Sequence, residues 1–106
     1  MLPFLRMGVT YCGLTMGAGG LLLATQDKMV QAVPPKVAVR NTTGSGDSLM
    51  AGLIYAQLQD WDLVEIARWA VATATASVET EGVSEFSVDR IKTLLPGVDS
   101  KIINVL

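Results

Sequence analysis

The chain changes character at Gly44-Ser45-Gly46, and that change limits what it can fold into. Ahead of the break, short runs rich in β-branched and aromatic residues alternate with glycine and proline, the pattern of strands and turns. Behind it, apolar residues recur at helical spacing through most of the remaining chain. The expected order is therefore strands first and helices after them.

Residues 9–16 read as a buried strand, broken by the glycines of residues 17–20. Residues 21–25 resume as a second strand, Gln26-Asp27-Lys28 makes a polar tight turn, and Met29–Val33 returns as the antiparallel partner. Pro34-Pro35 stops that strand, because proline cannot donate to a ladder. Residues 36–40 alternate polar and apolar and are predicted to form a strand leading into the glycine loop. A helix over residues 48–58 carries Leu49, Leu53 and Ala56 at helical spacing and ends at Asp60-Trp61-Asp62. Asp62 with Glu65 has capping-box spacing and opens a long helix to about residue 79. A third helix is predicted from residue 88 to 95, after Ser87 and before Pro96-Gly97, with a last short strand over residues 101–106. Residues 1–106 show no repeat and read as a single partial domain.

Composition removes several classes of function. The 106 residues contain no histidine and one cysteine, Cys12. Histidine-based triads, proton relays and metal sites are excluded, as are an internal disulfide and a cysteine zinc cluster. Cys12, in a strand context, reads as an inert buried thiol and fits a reducing, cytoplasmic setting. A net charge of -2 and a pI near 4.9 argue against nucleic acid as a partner. The charge is uneven: four bases face two acids over residues 1–59, and four bases face eight acids over residues 60–106. An anion would therefore find the first half the better host. The 18 uncharged residues from 7 to 24 include five glycines, too many for the apolar helix of a signal peptide. Arg68 interrupts the apolar stretch 66–78, which is too short to span a membrane. Trp61 and Trp69 read as core or interface anchors, and Met7, Met16, Met29 and Met50 as core filler. Residues 79–82 read as a solvated helix end.

The stretch Thr42-Thr-Gly-Ser-Gly-Asp-Ser-Leu-Met-Ala-Gly-Leu-Ile54 can carry chemistry. A strand runs into Gly-Ser-Gly and a helix starts at once. The leading amides of a helix lack internal partners, and its dipole makes that end partly positive. Glycines at 44 and 46 let those amides approach a ligand without Cβ interference, making an anion hole suited to a phosphate. Asp47, in the first turn, could accept a proton from an alcohol. The plainer alternative is an ordinary helix start, where glycine and an acid are favoured anyway. No Gly-Lys-Ser/Thr follows, so this is not a Walker A loop. Gly17-Ala18-Gly19-Gly20 leads into strands and not a helix, so it is not a dinucleotide fingerprint.

Residues 41–54, beginning Asn41-Thr-Thr-Gly-Ser-Gly-Asp-Ser, resemble the C-terminal signature of the ribokinase-like (phosphofructokinase B) carbohydrate kinases. Upstream, Thr15-Met-Gly-Ala-Gly-Gly20 is similar to that family's Thr-x-Gly-x-x-Gly segment, and the elements come in the family's order. The resemblance covers roughly residues 8–98 and lies nearest the 1-phosphofructokinase and tagatose-6-phosphate kinase branch. It implies the C-terminal fragment of a three-layer α/β/α sandwich and ATP-dependent phosphorylation of a sugar or sugar-phosphate hydroxyl. It also implies Asp47 as general base and the amides of Gly44, Ser45 and Gly46 as the anion hole. Thr15, Gly17, Gly20 and Gly46 would contact the nucleotide, Mg2+ would arrive bound to ATP, and residues 71–77 would pass near the adenine.

The chain departs from the family in length. The sugar-contacting residues, the small β lid, most strands of the central sheet and the family's Asn-x-x-Glu element are not found in this sequence. The expectation is a chain of kinase lineage that has little or no activity alone. Its apolar faces would favour self-association or pairing with a separately encoded N-terminal portion. The alternative is a non-catalytic remnant or subunit that at most binds nucleotide.

Overall fold

The hairpin around Gln26-Asp27-Lys28 forms the middle of the sheet. The computed structural model describes residues 11–80 and 86–103. Strand β2 (Leu21–Ala24) pairs antiparallel with β3 (Met29–Val33), setting Leu23 opposite Val30 and Leu21 opposite Ala32. Thr25 closes the turn. Its amide donates to the Lys28 carbonyl at 2.9 Å, and its hydroxyl oxygen accepts from the amides of Asp27 and Lys28 at 3.3 and 3.4 Å. Strand β1 (Cys12–Thr15) pairs antiparallel with the outer side of β2. Strand β4 (Asp99–Ile103) returns from the far end of the chain to pair antiparallel with β3, completing the order β1-β2-β3-β4. Because side chains alternate across a sheet, Leu21, Leu23, Val30 and Ala32 share one face, and all four are buried.

Three α-helices follow: α1 (Ser45–Leu58), α2 (Leu63–Val78) and α3 (Val88–Leu94). Helix α2 lies on the sheet against β2, β3 and β4, with α1 and α3 packed on α2. It is wrapped so fully that Ile66, Ala67, Trp69, Ala70, Val71, Ala72 and Ala76 are all buried. Burying a side chain of the Ile or Val class is worth about 1.5–3 kcal/mol. Helices α1 and α2 touch most closely at Gly52, where a Cβ would lie 2.8 Å from Thr73 Oγ1 and 3.1 Å from Ala70 Cα. The predicted Asp62 cap is present, its Oδ1 accepting from the Glu65 amide at 2.9 Å, and Ser87 Oγ caps α3 by accepting from the Arg90 amide at 3.1 Å. Arg68 interrupts the apolar run for a structural reason. It donates to Glu65 Oε1 at 3.0 Å and to the Leu95 carbonyl at 2.9 Å, tying the 3-10 turn Leu95–Gly97 to α2.

Several expectations need correcting. The first strand exists over Cys12–Thr15, but Gly13, Leu14 and Thr15 are exposed and Cys12 is half-buried. Among the described strands only β2 lies beside it, so it is an edge and not a core strand. Val9 and Thr10 lie outside the described residues. Residues 36–40 form no strand; the Arg40 amide instead donates to the Val78 carbonyl at 2.7 Å, at the end of α2. Helix α1 begins at Ser45, three residues earlier than predicted, because Gly44 turns the chain directly into it. The final strand begins at Asp99, and residues 104–106 lie outside the described set. Met50 is 55% exposed and is not core filler; Met7 is outside the described residues. Trp69 is buried, whereas Trp61 is 37% exposed and meets Trp69 edge-on at 5.3 Å between ring centroids.

Glu79 is not simply solvated either. It accepts two hydrogen bonds from Arg90, at 2.7 and 2.6 Å, joining the end of α2 to α3. That contact holds the Arg90 guanidinium above its ordinary value. A raised basic group lends stability that is complete below its unfolded value and lost only above the folded one, so Arg90 adds no pH dependence near neutrality.

Candidate functional site

The loop before α1 is shaped by short-range bonds that the sequence dictates. Asn41 Oδ1 accepts from the Thr43 amide at 2.9 Å, a local turn that asparagine favours. Gly44 follows in the left-handed region at φ 82°, which glycine adopts without steric cost. The Ser45 amide donates to the Thr42 carbonyl at 3.2 Å, and the Ser48 amide to the Gly44 carbonyl at 2.9 Å. No side chain caps α1, and among the described residues the amides of Gly46 and Asp47 have no hydrogen-bond partner. Two unpaired donors therefore sit at the positive end of a 14-residue helix. The Asp47 carboxylate is exposed beside them, and the exposed cations Lys36 and Arg40 precede the loop.

The glycines of the two motifs separate into different kinds. Gly20 is buried at φ 87°, and a Cβ there would fall 1.9 Å from the Ala32 carbonyl oxygen. The close approach of two chain segments accounts for it without a ligand. Gly17, at φ 55°, is required by its backbone but has nothing within 4 Å of a Cβ position. Gly46 has neither reason: its φ lies outside the left-handed region and its Cβ position is open. In a helix, glycine costs about 1 kcal/mol relative to alanine, so the fold alone gives no reason for it here.

Thr15, at the end of β1, is exposed and shares a groove of about 230 Å3 with α1 residues Leu49 and Met50. Thr15 and the second turn of α1 are thus brought together. Of residues 71–77, all but Ala74 are buried, and the hydroxyls of Thr73 and Thr75 donate to carbonyls of their own helix, those of Trp69 and Val71. Among the described residues no group of three or more His, Cys, Asp or Glu side chains converges as a metal site. No described helix is long and apolar enough to cross a membrane. The sequence reading missed the Val78 carbonyl, which receives the amides of both Arg40 and Asn41, at 2.7 and 3.2 Å, and pins the loop to α2. A backbone acceptor leaves no residue-specific signal.

Comparison with known proteins gives a consistent set of similarities. The description of the pfkB family carbohydrate kinases matches residues 5–90. The chain is 43% identical over 65 residues to a 1-phosphofructokinase of Rhodobacter capsulatus, covering 61% of this chain and 21% of that one. It is 30% identical over 99 residues to the 1-phosphofructokinase of Escherichia coli K12, covering 93% of this chain and 32% of that one. Among solved structures, phosphofructokinase-2 from Escherichia coli superposes with a TM-score of 0.84 at 24% identity, over 90% of this chain and 31% of that one. A ribokinase of Arabidopsis thaliana, solved with ribose and ATP, gives 0.77 at 29% identity, over 85% and 30%. The chain thus spans no more than about a third of the length of these relatives.

Proposed function

Because the chain belongs to the pfkB family of carbohydrate kinases, we propose that it is the phosphoryl-transfer portion of an ATP-dependent kinase acting on a sugar or sugar phosphate. The acceptor is of the fructose 1-phosphate or tagatose 6-phosphate type. The observation that carries this reading is Gly46. Neither backbone nor packing calls for glycine there, the amides of Gly46 and Asp47 are unpaired, and the open space at its Cβ position leaves them accessible to an incoming phosphate.

The chain's own groups divide the work. The amides of the Gly44-Ser45-Gly46 turn and of Asp47 face the charge that develops on the transferring phosphoryl group; fixed donors of this kind are worth about 10²–10³ in rate each. Ser45 is partly committed to Thr42, so Gly46 and Asp47 carry most of this role. The Asp47 carboxylate accepts the acceptor hydroxyl's proton as its oxygen bonds to phosphorus. Thr15 and Gly17 line the approach of the nucleotide phosphates, whereas Gly20 shapes the turn that carries them. ATP supplies the phosphoryl group, with Mg2+ held through its phosphates, and ADP leaves as product. Sugar binding requires the rest of a kinase fold, so this chain alone is expected to be inactive. The expected setting is the cytoplasm, without membrane or nucleic-acid partners.

Isothermal titration of ADP, with and without Mg2+, tests the reading. Saturable binding is expected, lost when Gly46 is replaced by valine while the melting temperature stays within a few degrees. If ADP does not bind at millimolar concentration, the alternative takes over: a non-catalytic subunit that keeps only the fold. Its support is that the close approach of β3 by itself accounts for Gly20.

A further inference from the structure

The last turn of α1 and the start of α2 bring three aromatic rings together. Tyr55 lies nearly flat on Trp69, with ring centroids 5.5 Å apart and planes 26° apart. Trp61, in the turn between the two helices, stands almost upright against both. Its plane is 75° from that of Tyr55 at 6.0 Å and 72° from that of Trp69 at 5.3 Å. Only Trp69 is buried; Tyr55 is 48% exposed and Trp61 37%. Tyr55 therefore offers its outer face as a floor, with Trp61 as a wall beside it. Each ring is held by the others, so little side-chain freedom remains to be lost when something binds. Core packing accounts for Trp69 but leaves a tyrosine and a tryptophan at the surface, the residue types that dominate interface energetics.

The charge around these rings has one sign. No lysine or arginine occurs between Arg40 and Arg68, and Arg68 is committed to Glu65 and to the Leu95 carbonyl. Asp60 and Asp62, on either side of Trp61, are exposed, and among the described residues neither joins an ion pair.

From this arrangement we propose that the α1–α2 corner is a docking site for an arginine-bearing segment of a partner protein. An aromatic face attracts a cation lying within about 6 Å of its centre, and the guanidinium is the cation that suits this corner. It is flat, so it can lie on Tyr55 against Trp61, and its N–H groups point outward in its plane toward carboxylates such as Asp60 and Asp62. A lysine ammonium lacks the plane, and a quaternary ammonium lacks the donors. Leu58, one turn beyond Tyr55 and 77% exposed, gives the arginine stem apolar cover. A second copy of this chain is a poor occupant, because a two-fold contact would set Asp60 and Asp62 against their own copies. At a rise of about 1.5 Å per residue the corner lies about 20 Å along α1 from Asp47. It stands apart from the glycine loop, and the proposal does not rest on the kinase reading.

Both tryptophans of the chain belong to this cluster, so intrinsic fluorescence reads the site without a label. The probe is an acetylated and amidated peptide of alternating glycine and arginine, titrated into the full chain at low ionic strength beside its lysine counterpart. A saturable change in tryptophan emission is expected with the arginine peptide, with affinity about threefold lower for lysine. Tyr55→Ala should weaken binding about tenfold, the loss of the floor on which the cation lies. Asp60→Asn should weaken it about threefold and flatten its dependence on salt. Asparagine adopts the left-handed φ of 57° at this position as readily as aspartate, so the melting temperature should not move. Asp60→Asn thus decides the matter even if Tyr55→Ala unsettles the fold by uncovering Trp69. The proposal is overturned if emission does not respond at millimolar peptide, if the arginine and lysine peptides bind alike, or if binding ignores Asp60→Asn. It is equally overturned if sedimentation velocity shows a dimer that Tyr55→Ala dissolves, since a second copy then fills the corner.

Discussion

Replacing Gly20 by alanine is expected to remove a large share of the chain's folding stability. The residue sits at φ 87° and ψ -136°, a region that side-chain-bearing residues scarcely enter and that costs of order 1–3 kcal/mol when forced. The added Cβ would also fall 1.9 Å from the Ala32 carbonyl oxygen and 2.9 Å from Val33 Cα, both backbone atoms of β3 that cannot rotate away. Relief requires the β2–β3 ladder to part, which exposes Leu21 and Val30. The combined cost should exceed about 4 kcal/mol, against a total stability of about 5–15 kcal/mol for a domain. Far-UV circular dichroism and urea unfolding would check it. A cooperative transition within about 1 kcal/mol of the parent would show that the segment can repack. The contrast with Gly46 is diagnostic: one glycine should matter to the fold and the other to the ligand.

Asp47→Asn should lower turnover of the assembled kinase by about 10²–10⁴, the usual contribution of a positioned proton acceptor. Asparagine keeps the shape of aspartate but cannot take up a proton at neutral pH. ADP affinity should hold or rise slightly, since a negative charge leaves the neighbourhood of the phosphates. Stability should fall by no more than about 0.3–1 kcal/mol, the value of an acid in the first turn of a helix. The informative result is therefore a split, with rate lost and binding kept, read from steady-state kinetics beside a titration. A loss below tenfold would move the base to another residue.

How much of this was legible beforehand depended on where the determining physics lay. Local chemistry read well: Asp62 with Glu65, Ser87 before α3, and the turn at Gln26-Asp27-Lys28 all behave as their residue types require. Burial read less well, because a strand's neighbours are not in its own sequence. Residues 12–15 have the composition of a core strand and lie at an edge. Residues 36–40 have the alternation of a strand but no described strand beside them, and their end is claimed by a helix carbonyl. At the candidate site, the Gly-Ser-Gly-Asp motif could be read directly. The distinction between Gly20 and Gly46 could not, since it depends on which atoms surround each Cβ position.

The Val78 carbonyl has a dynamic consequence. It accepts from two amides, those of Arg40 and Asn41, and it belongs to the last residue of α2, where helices fray. The next residue, Glu79, holds Arg90 of α3. Opening that turn would release the anchor of the loop before α1 and loosen α3 in one event, making the three a single unit of local unfolding. Amide hydrogen exchange should then show Arg40 and Asn41 exchanging in step with the end of α2. A nucleotide bound at Gly46 should slow exchange there too, although it touches none of those residues. The rigidity of the glycine loop is in this sense set by how firmly a neighbouring helix keeps its final turn closed.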